Sequence, residues 1–232
     1  MNHEISYNRE LFAKIISRIF EAPFIAIPVF LILNILLNNN NFLNSEIICL
    51  LFGTIIPMLL ILIWSKIKKV DKDYTIKEHR NIPLLIISII YFIGAIILWL
   101  LSINPIIISL MFCYGLNTLI VFFINLKWKI SVHSMGIAGP ITALMFVNPL
   151  FFILGFITPI IMWSRLILKK HTLTQVLAGS ILGYLLTYVQ IYYLTQAMNY
   201  TLSVNLYMVL ILILFLILFS LIIAKTLFSS KN

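Results

Sequence analysis

Charge is what this sequence has least of. Aspartate and glutamate together number seven and lysine and arginine sixteen among 232 residues, so 10% of the side chains are charged. Hydrophobic residues make up 62%, and the mean hydropathy is +1.10. A soluble domain cannot hide that much apolar surface, whereas a bilayer solvates it. The composition therefore predicts an all-α integral membrane protein. Cysteine is also scarce. Cys49 and Cys113 both lie in apolar segments, too few for a disulfide framework and without zinc spacing. No small-residue cleavage site follows the first apolar stretch, so no cleavable signal peptide is expected.

Long apolar runs are what the sequence has in plenty. A span needs about 20 mostly apolar residues. Candidates fall at 22–38, 47–65, 83–102, 105–125, 132–148, 149–165, 172–196 and 203–225, about eight transmembrane helices in all. The weakest pair is 132–148 and 149–165, short stretches joined by Asn148-Pro149 and interrupted by Gly136, Gly139, Pro140 and Pro159. Ahead of them, "NRELFAKIISRIFE" (8–21) places Leu11, Phe12, Ile15, Ile16 and Ile19 at helical spacing. That spacing predicts an amphipathic helix in the membrane interface. The expected organisation is an interfacial segment over 1–22 and a single transmembrane domain over 23–232.

The few charges are placed unevenly. Lysine and arginine occur in the N-terminal segment, in 66–80, at Lys127 and Lys129, at Arg165, Lys169 and Lys170, and at Lys225 and Lys231. With eight spans, all of these lie on one face. The opposite loops carry no lysine or arginine, only Glu46. Basic residues concentrate in short cytoplasmic loops, so both termini and the three basic loops are expected in the cytoplasm, in a multi-pass protein of the cell membrane. Sidedness accounts for the net charge of +9 without a nucleic-acid partner. Membrane lipids are the expected neighbours, and "KIKK" (66–69) suits anionic headgroups.

Sidedness does not account for the histidines. There are four, and His79, His133 and His171 each sit in one of the three basic loops. Arginine offers a planar fork of donors matched to phosphate oxygens, and helix N-termini add free N–H groups. Ser131 and His171 stand where new helices begin. With Arg80 and Arg165 they could grip a phosphate, one histidine attacking phosphorus while the other protonates the leaving oxygen.

"SRLILKKH" has the form S-R-x5-H, and "ISVH" places Ser131 and His133 as in P-S-G-H. The pair resembles the second and third motifs of the type 2 phosphatidic acid phosphatase superfamily. The resemblance covers about residues 66–196 and implies a six-helix lipid-phosphatase-like core. It implies His171 as nucleophile and His133 as general acid, with Arg165, Ser164 and Ser131 as phosphate ligands. The implied mechanism needs no metal and no cofactor, and the implied substrate is a lipid phosphate or diphosphate of polyprenyl or phosphatidate type. The first motif, K-x6-R-P, is altered. Arg80 is kept, Pro83 comes three residues later, and Asp73 takes the lysine's position, with Lys72 or Lys77 as substitutes. Ile130 and Val132 replace the proline and glycine of P-S-G-H. The third motif's H-x-x-x-D becomes His171-x-x-x-Gln175, so a neutral amide stands where a carboxylate would orient and charge-balance the histidine.

Other readings stay open. Thr172-x-x-Gln175 fits a capping box, which would make Gln175 structural. The missing aspartate favours a catalytically inactive relative that binds lipid headgroups or a partner. Asp71 and Asp73 form a D-x-D pair as in membrane prenyltransferases, though a second aspartate-rich motif is missing. Gly179 and Gly183 in "AGSILG" have the spacing of close helix packing in lipid.

Overall fold

The computed structural model describes residues 2–37, 40–70, 76–201 and 206–229, with side chains placed between 7 and 224 within those stretches. Among the described residues the chain is all helical and carries no strand. The elements are α1 (Asn2–Ile19), α2 (Ala22–Leu36), α3 (Phe42–Leu50), a π turn (Leu51–Ile55), α4 (Ile56–Lys68), a 3₁₀ turn (Lys77–Arg80), α5 (Asn81–Leu100), α6 (Pro105–Lys127), α7 (Val132–Val147), a 3₁₀ stretch (Pro149–Phe156), α8 (Ile157–Ile167), α9 (Leu173–Ala197) and α10 (Leu206–Ser229).

Six helical stretches are long and apolar enough to cross a membrane: Phe42–Lys68, Lys77–Leu100, Pro105–Lys127, Pro149–Ile167, Leu173–Ala197 and Leu206–Ala224. The sequence pattern predicts eight. The two that differ are 22–38 and 132–148, where α2 has 15 residues and α7 has 16. At about 1.5 Å per residue these are too short to cross a 30 Å apolar layer upright. Pro23 opens α2 and the chain turns between α1 and α2 by 50°, so Tyr7–Ile19 and Ala22–Leu36 count as one bent span at most.

α7 is short because it is the hub. Twelve of its 16 residues are buried, and it touches α2, α6, α8, α9 and the 3₁₀ stretch. Its closest neighbour is α9. A Cβ on Gly183 would lie 2.7 Å from Ala138 Cβ, and one on Gly179 would lie 2.5 Å from the Ser131 carbonyl oxygen. The two glycines of "AGSILG" thus set the α7–α9 approach, as small residues do in lipid. The outward faces of the long helices carry exposed apolar side chains such as Ile89, Trp99 and Leu214, the pattern a lipid-facing surface requires.

α1 packs on a different edge from the one its apolar positions suggest. Of Leu11, Phe12, Ile15, Ile16 and Ile19, Ile16 alone is buried; Ala13 and Ser17 join it against the protein. α1 lies on α8, with Phe12 and Trp163 rings 6.1 Å apart. The small residues face inward because they let α1 come close, and the large apolar ones are left for the membrane.

The span Phe42–Lys68 carries a π turn at Leu51–Ile55. Pro57 has no N–H to offer the Gly53 carbonyl, so the helical ladder widens just before it. Thr54 in that turn donates its hydroxyl to the Pro23 carbonyl at 2.9 Å, tying α2 to the span. Asp71, Lys72 and Asp73 lie outside the described residues, and with them the D-x-D pair.

Candidate functional site

α8 ends abruptly at the basic loop. Lys169 adopts φ 52, a left-handed cap, and the N–H groups of Leu168, Lys169 and Lys170 fold back onto the carbonyls of Ser164, Leu166 and Arg165. A left-handed lysine costs about 1 kcal/mol, and the turn returns the chain sharply. Lys129 Nζ pins it by donating to the Lys170 carbonyl at 3.0 Å. His171 follows at once and is buried, 7% exposed.

Thr172 and Gln175 form the capping box of α9. Gln175 Oε1 accepts from the Thr172 backbone N–H at 3.2 Å and lies 3.1 Å from His171 Nδ1. Together these contacts fix a proton. A backbone N–H can only donate, so the amide atom it meets is the oxygen. That oxygen can only accept from His171, so Nδ1 carries the imidazole hydrogen and Nε2 carries the lone pair. His171 Nε2 is buried without a hydrogen-bond partner among the described residues. Gln175 therefore has both roles offered by the sequence, cap and orienter.

The surroundings of His171 are cationic. Burial first, then the charges of Arg80, Arg165 and Lys129, lower its pKa to about 3, against an opposing pull from Gln175. Arg165 is 1% exposed, and its Nη1 donates to Ser17 Oγ of α1 at 2.6 Å. Arg80 is 5% exposed, and its Nη1 donates to the Ile130 carbonyl at 3.1 Å. Its position is held from below: Trp64 Nε1 donates to the His79 carbonyl, and Asn125 Nδ2 donates to the Lys77 carbonyl and to Asn81 Oδ1.

Ser131 caps α7. Its Oγ accepts from the Ser134 N–H and hydroxyl, and its backbone N–H donates to the Gln175 carbonyl at 3.3 Å, which joins the starts of α7 and α9. Two residues on, His133 lines a cavity of about 150 Å³ shared with Arg80. The cavity runs from this polar end between α2, α4, α5, α6 and α7 to Tyr91, Tyr114 and Asn117. Apolar walls at Leu84, Ile87, Val121 and Met135 separate the two ends. At the inner end Asn117 donates to Thr187 Oγ1 and accepts from Gln190 Nε2, both at 2.9 Å.

Arg80, Arg165, His171, Gln175 and Ser131 thus come together, and Arg80 links them to His133. Two of the residues nominated from sequence are engaged elsewhere. Lys77 Nζ donates to the carbonyls of Leu126 and Lys127, capping the C-terminal end of α6. Ser164 donates its hydroxyl to the Ile161 carbonyl of its own helix at 2.8 Å. Sequence reasoning did not nominate Lys129, Ser17 or Glu21. Lys129 sits two residues before Ser131 in "KWKISVH" and could have been found there. Ser17 and Glu21 carry no signal of their own, because nothing in a sequence pattern joins α1 to loops more than a hundred residues away. The joined α7 and α9 starts bring two buried arginines and an imidazole nitrogen without a hydrogen-bond partner among the described residues to one place. No protein-family model, no curated protein and no solved structure matches this chain.

Proposed function

We propose that this protein is a membrane lipid phosphatase acting through a phosphohistidine at the face that bears the basic loops, the cytoplasmic face of the cell membrane. The observation that carries the proposal is His171 Nε2, a buried, unpartnered lone pair with its tautomer fixed by Gln175, in the field of Arg80, Arg165 and Lys129. A neutral imidazole stays nucleophilic across the physiological range, and the cations make the site favourable for the anion it would attack.

The chemistry runs in two halves. Arg165 and Arg80 hold the phosphoryl oxygens. As His171 Nε2 bonds to phosphorus, the bond from phosphorus to the lipid oxygen breaks, and His133 gives that oxygen its proton. Water then adds its hydroxyl to phosphorus and its proton to His133, and the bond to Nε2 breaks, releasing phosphate. The lipid tail occupies the apolar part of the cavity while the head stays at the polar end, so the substrate is a lipid phosphate or diphosphate of polyprenyl or phosphatidate type.

The test uses purified protein in nanodiscs, offered polyprenyl phosphate or phosphatidate in excess chelator. Release of inorganic phosphate, reduced at least about 10³-fold in His171→Asn, fits loss of a nucleophile. A second reading is favoured by Gln175, which supplies no counter-charge to a phosphorylated imidazole, and by the bond that Arg165 already makes to Ser17. In that reading the protein binds a lipid phosphate headgroup without turnover, and binding with no phosphate release would select it.

A further inference from the structure

Among the described residues lining the cavity with Arg80 and His133 there is one acidic residue, Glu21. It stands at the break between α1 and α2, with extended backbone at φ −68 and ψ 134. Its carbonyl starts α2 by accepting from the N–H groups of Phe24 and Ile25, so the residue sits at the junction itself and outside either helix. α1, just before it, is tied to the site by Ser17 on Arg165. The N-terminal segment thus brings a hydroxyl to one arginine and an acid to the cavity holding the other.

A general acid in this site faces an electrostatic problem. It must hold a proton near neutral pH, yet the groups around it are cationic. α5 contributes Arg80 and Tyr91 to the cavity and α6 contributes Tyr114. α4 contributes only Pro57 and Ile61, and α2 contributes no charge beyond Glu21 itself. Lys129, Arg165 and His171 stand with Arg80 at the joined starts of α7 and α9. Positive neighbours drive a proton off an imidazole, and an adjacent carboxylate holds it on. Among the described lining residues, Glu21 is the one of the right sign.

We propose that Glu21 is the positioning residue for His133. Its carboxylate accepts a hydrogen bond from one ring nitrogen and keeps the imidazole charged, leaving the other nitrogen to carry the transferable proton. The use of that proton rests on the phosphatase reading; the pairing does not. Burial and the neighbouring cations keep His171 neutral as nucleophile, while Glu21 holds the second proton on His133 as acid.

The experiment follows the His133 resonance against pH in full-length protein in nanodiscs, labelled at histidine and glutamate and assigned with His133→Asn. In Glu21→Gln the His133 midpoint falls by at least about one pH unit. In Glu21→Asp, which retracts the charge by one methylene, it falls by less than half as much. An unchanged midpoint in Glu21→Gln overturns the pairing. Should that variant not fold, the wild type answers. The Glu21 carboxyl carbon must shift across the His133 midpoint, and a flat signal there also overturns the pairing. Where turnover is measurable, the alkaline limb of the rate profile moves down with the midpoint in Glu21→Gln. A shifted midpoint in a protein without turnover supports the pairing and removes the phosphatase reading. Turnover with an unshifted midpoint overturns the pairing and keeps that reading.

Discussion

His171 and Gln175 show how one short contact can set the chemistry of a site. Because the folded state holds His171 at about 3, below its ordinary 6.5, the unfolded chain takes up a proton first as pH falls. Stability is therefore whole above about pH 6.5 and declines as pH drops toward 3. The slope is about 1.4 kcal/mol per pH unit and the limit is on the order of 5 kcal/mol. Thermal midpoints measured from pH 7 to pH 4 should fall steeply in the wild type and less in His171→Asn. Inorganic phosphate or vanadate should raise the midpoint, since an anion that binds the folded state alone stabilises it. Gln175→Glu keeps the acceptor for the Thr172 N–H and adds the charge the superfamily motif carries. Under the phosphatase reading it should raise phosphate release, on the order of tenfold, by stabilising the charged phosphohistidine. Gln175→Ala loses the cap, about 1 kcal/mol, together with the fixed tautomer. At this scale the sequence was readable where spacing encodes geometry: S-R-x5-H puts Arg165 and His171 on either side of one tight turn. It was misleading where a side chain found a nearer partner, as Lys77 did in the α6 carbonyls.

The helices themselves were legible because apolar runs between polar breaks leave little else for a chain in lipid to form. Their status as spans was not. Stretch 132–148 has the composition of a membrane span, but α7 is a 16-residue helix buried within the bundle. Hydropathy measures what a residue avoids, and both lipid and a protein core satisfy that. The 3₁₀ stretch was half visible: Asn148-Pro149 marks the break, and Asn148 caps the stretch by accepting from the Leu150 N–H, but nothing in the apolar residues after it separates a 3₁₀ turn from an α-helix. The α7–α9 contact gives the prediction at this scale. Gly179→Ala places a methyl 2.5 Å from the Ser131 carbonyl, so it must push α9 off the start of α7. A loss of about 1–3 kcal/mol is expected from overpacking, with phosphate-dependent stabilisation lost as well. Gly53→Ala is the control, since its methyl meets Phe30 at 3.2 Å, well away from the site. Thermal melts of both variants, with and without phosphate, check the pair.

For the whole molecule, the contacts of the site put its loops on one face: Lys129 holds the Lys170 carbonyl, and Lys77 holds the carbonyls of Leu126 and Lys127. Cys49 and Cys113 are both buried, so single introduced cysteines report accessibility against a silent background. Lys127→Cys and Lys169→Cys should react with impermeant maleimide from one and the same side, the side that basic residues favour being the cytoplasmic one, and labelling from opposite sides would separate the loops of the site. The bundle around α7 holds α9 and α7 with their N-terminal ends together, and under the phosphatase reading that arrangement brings Arg80, Arg165 and His171 to one anion. Incubation with lipid phosphate labelled at phosphorus, followed by denaturation and peptide mapping, tests this account most directly. The account predicts an acid-labile, base-stable phosphoryl group on the peptide containing His171, absent in His171→Asn and slower to form in His133→Asn, where the lipid oxygen leaves without a donated proton. A protein that binds the labelled lipid but never carries label on that peptide, at any pH between 5 and 9 in which it stays folded, would contradict it.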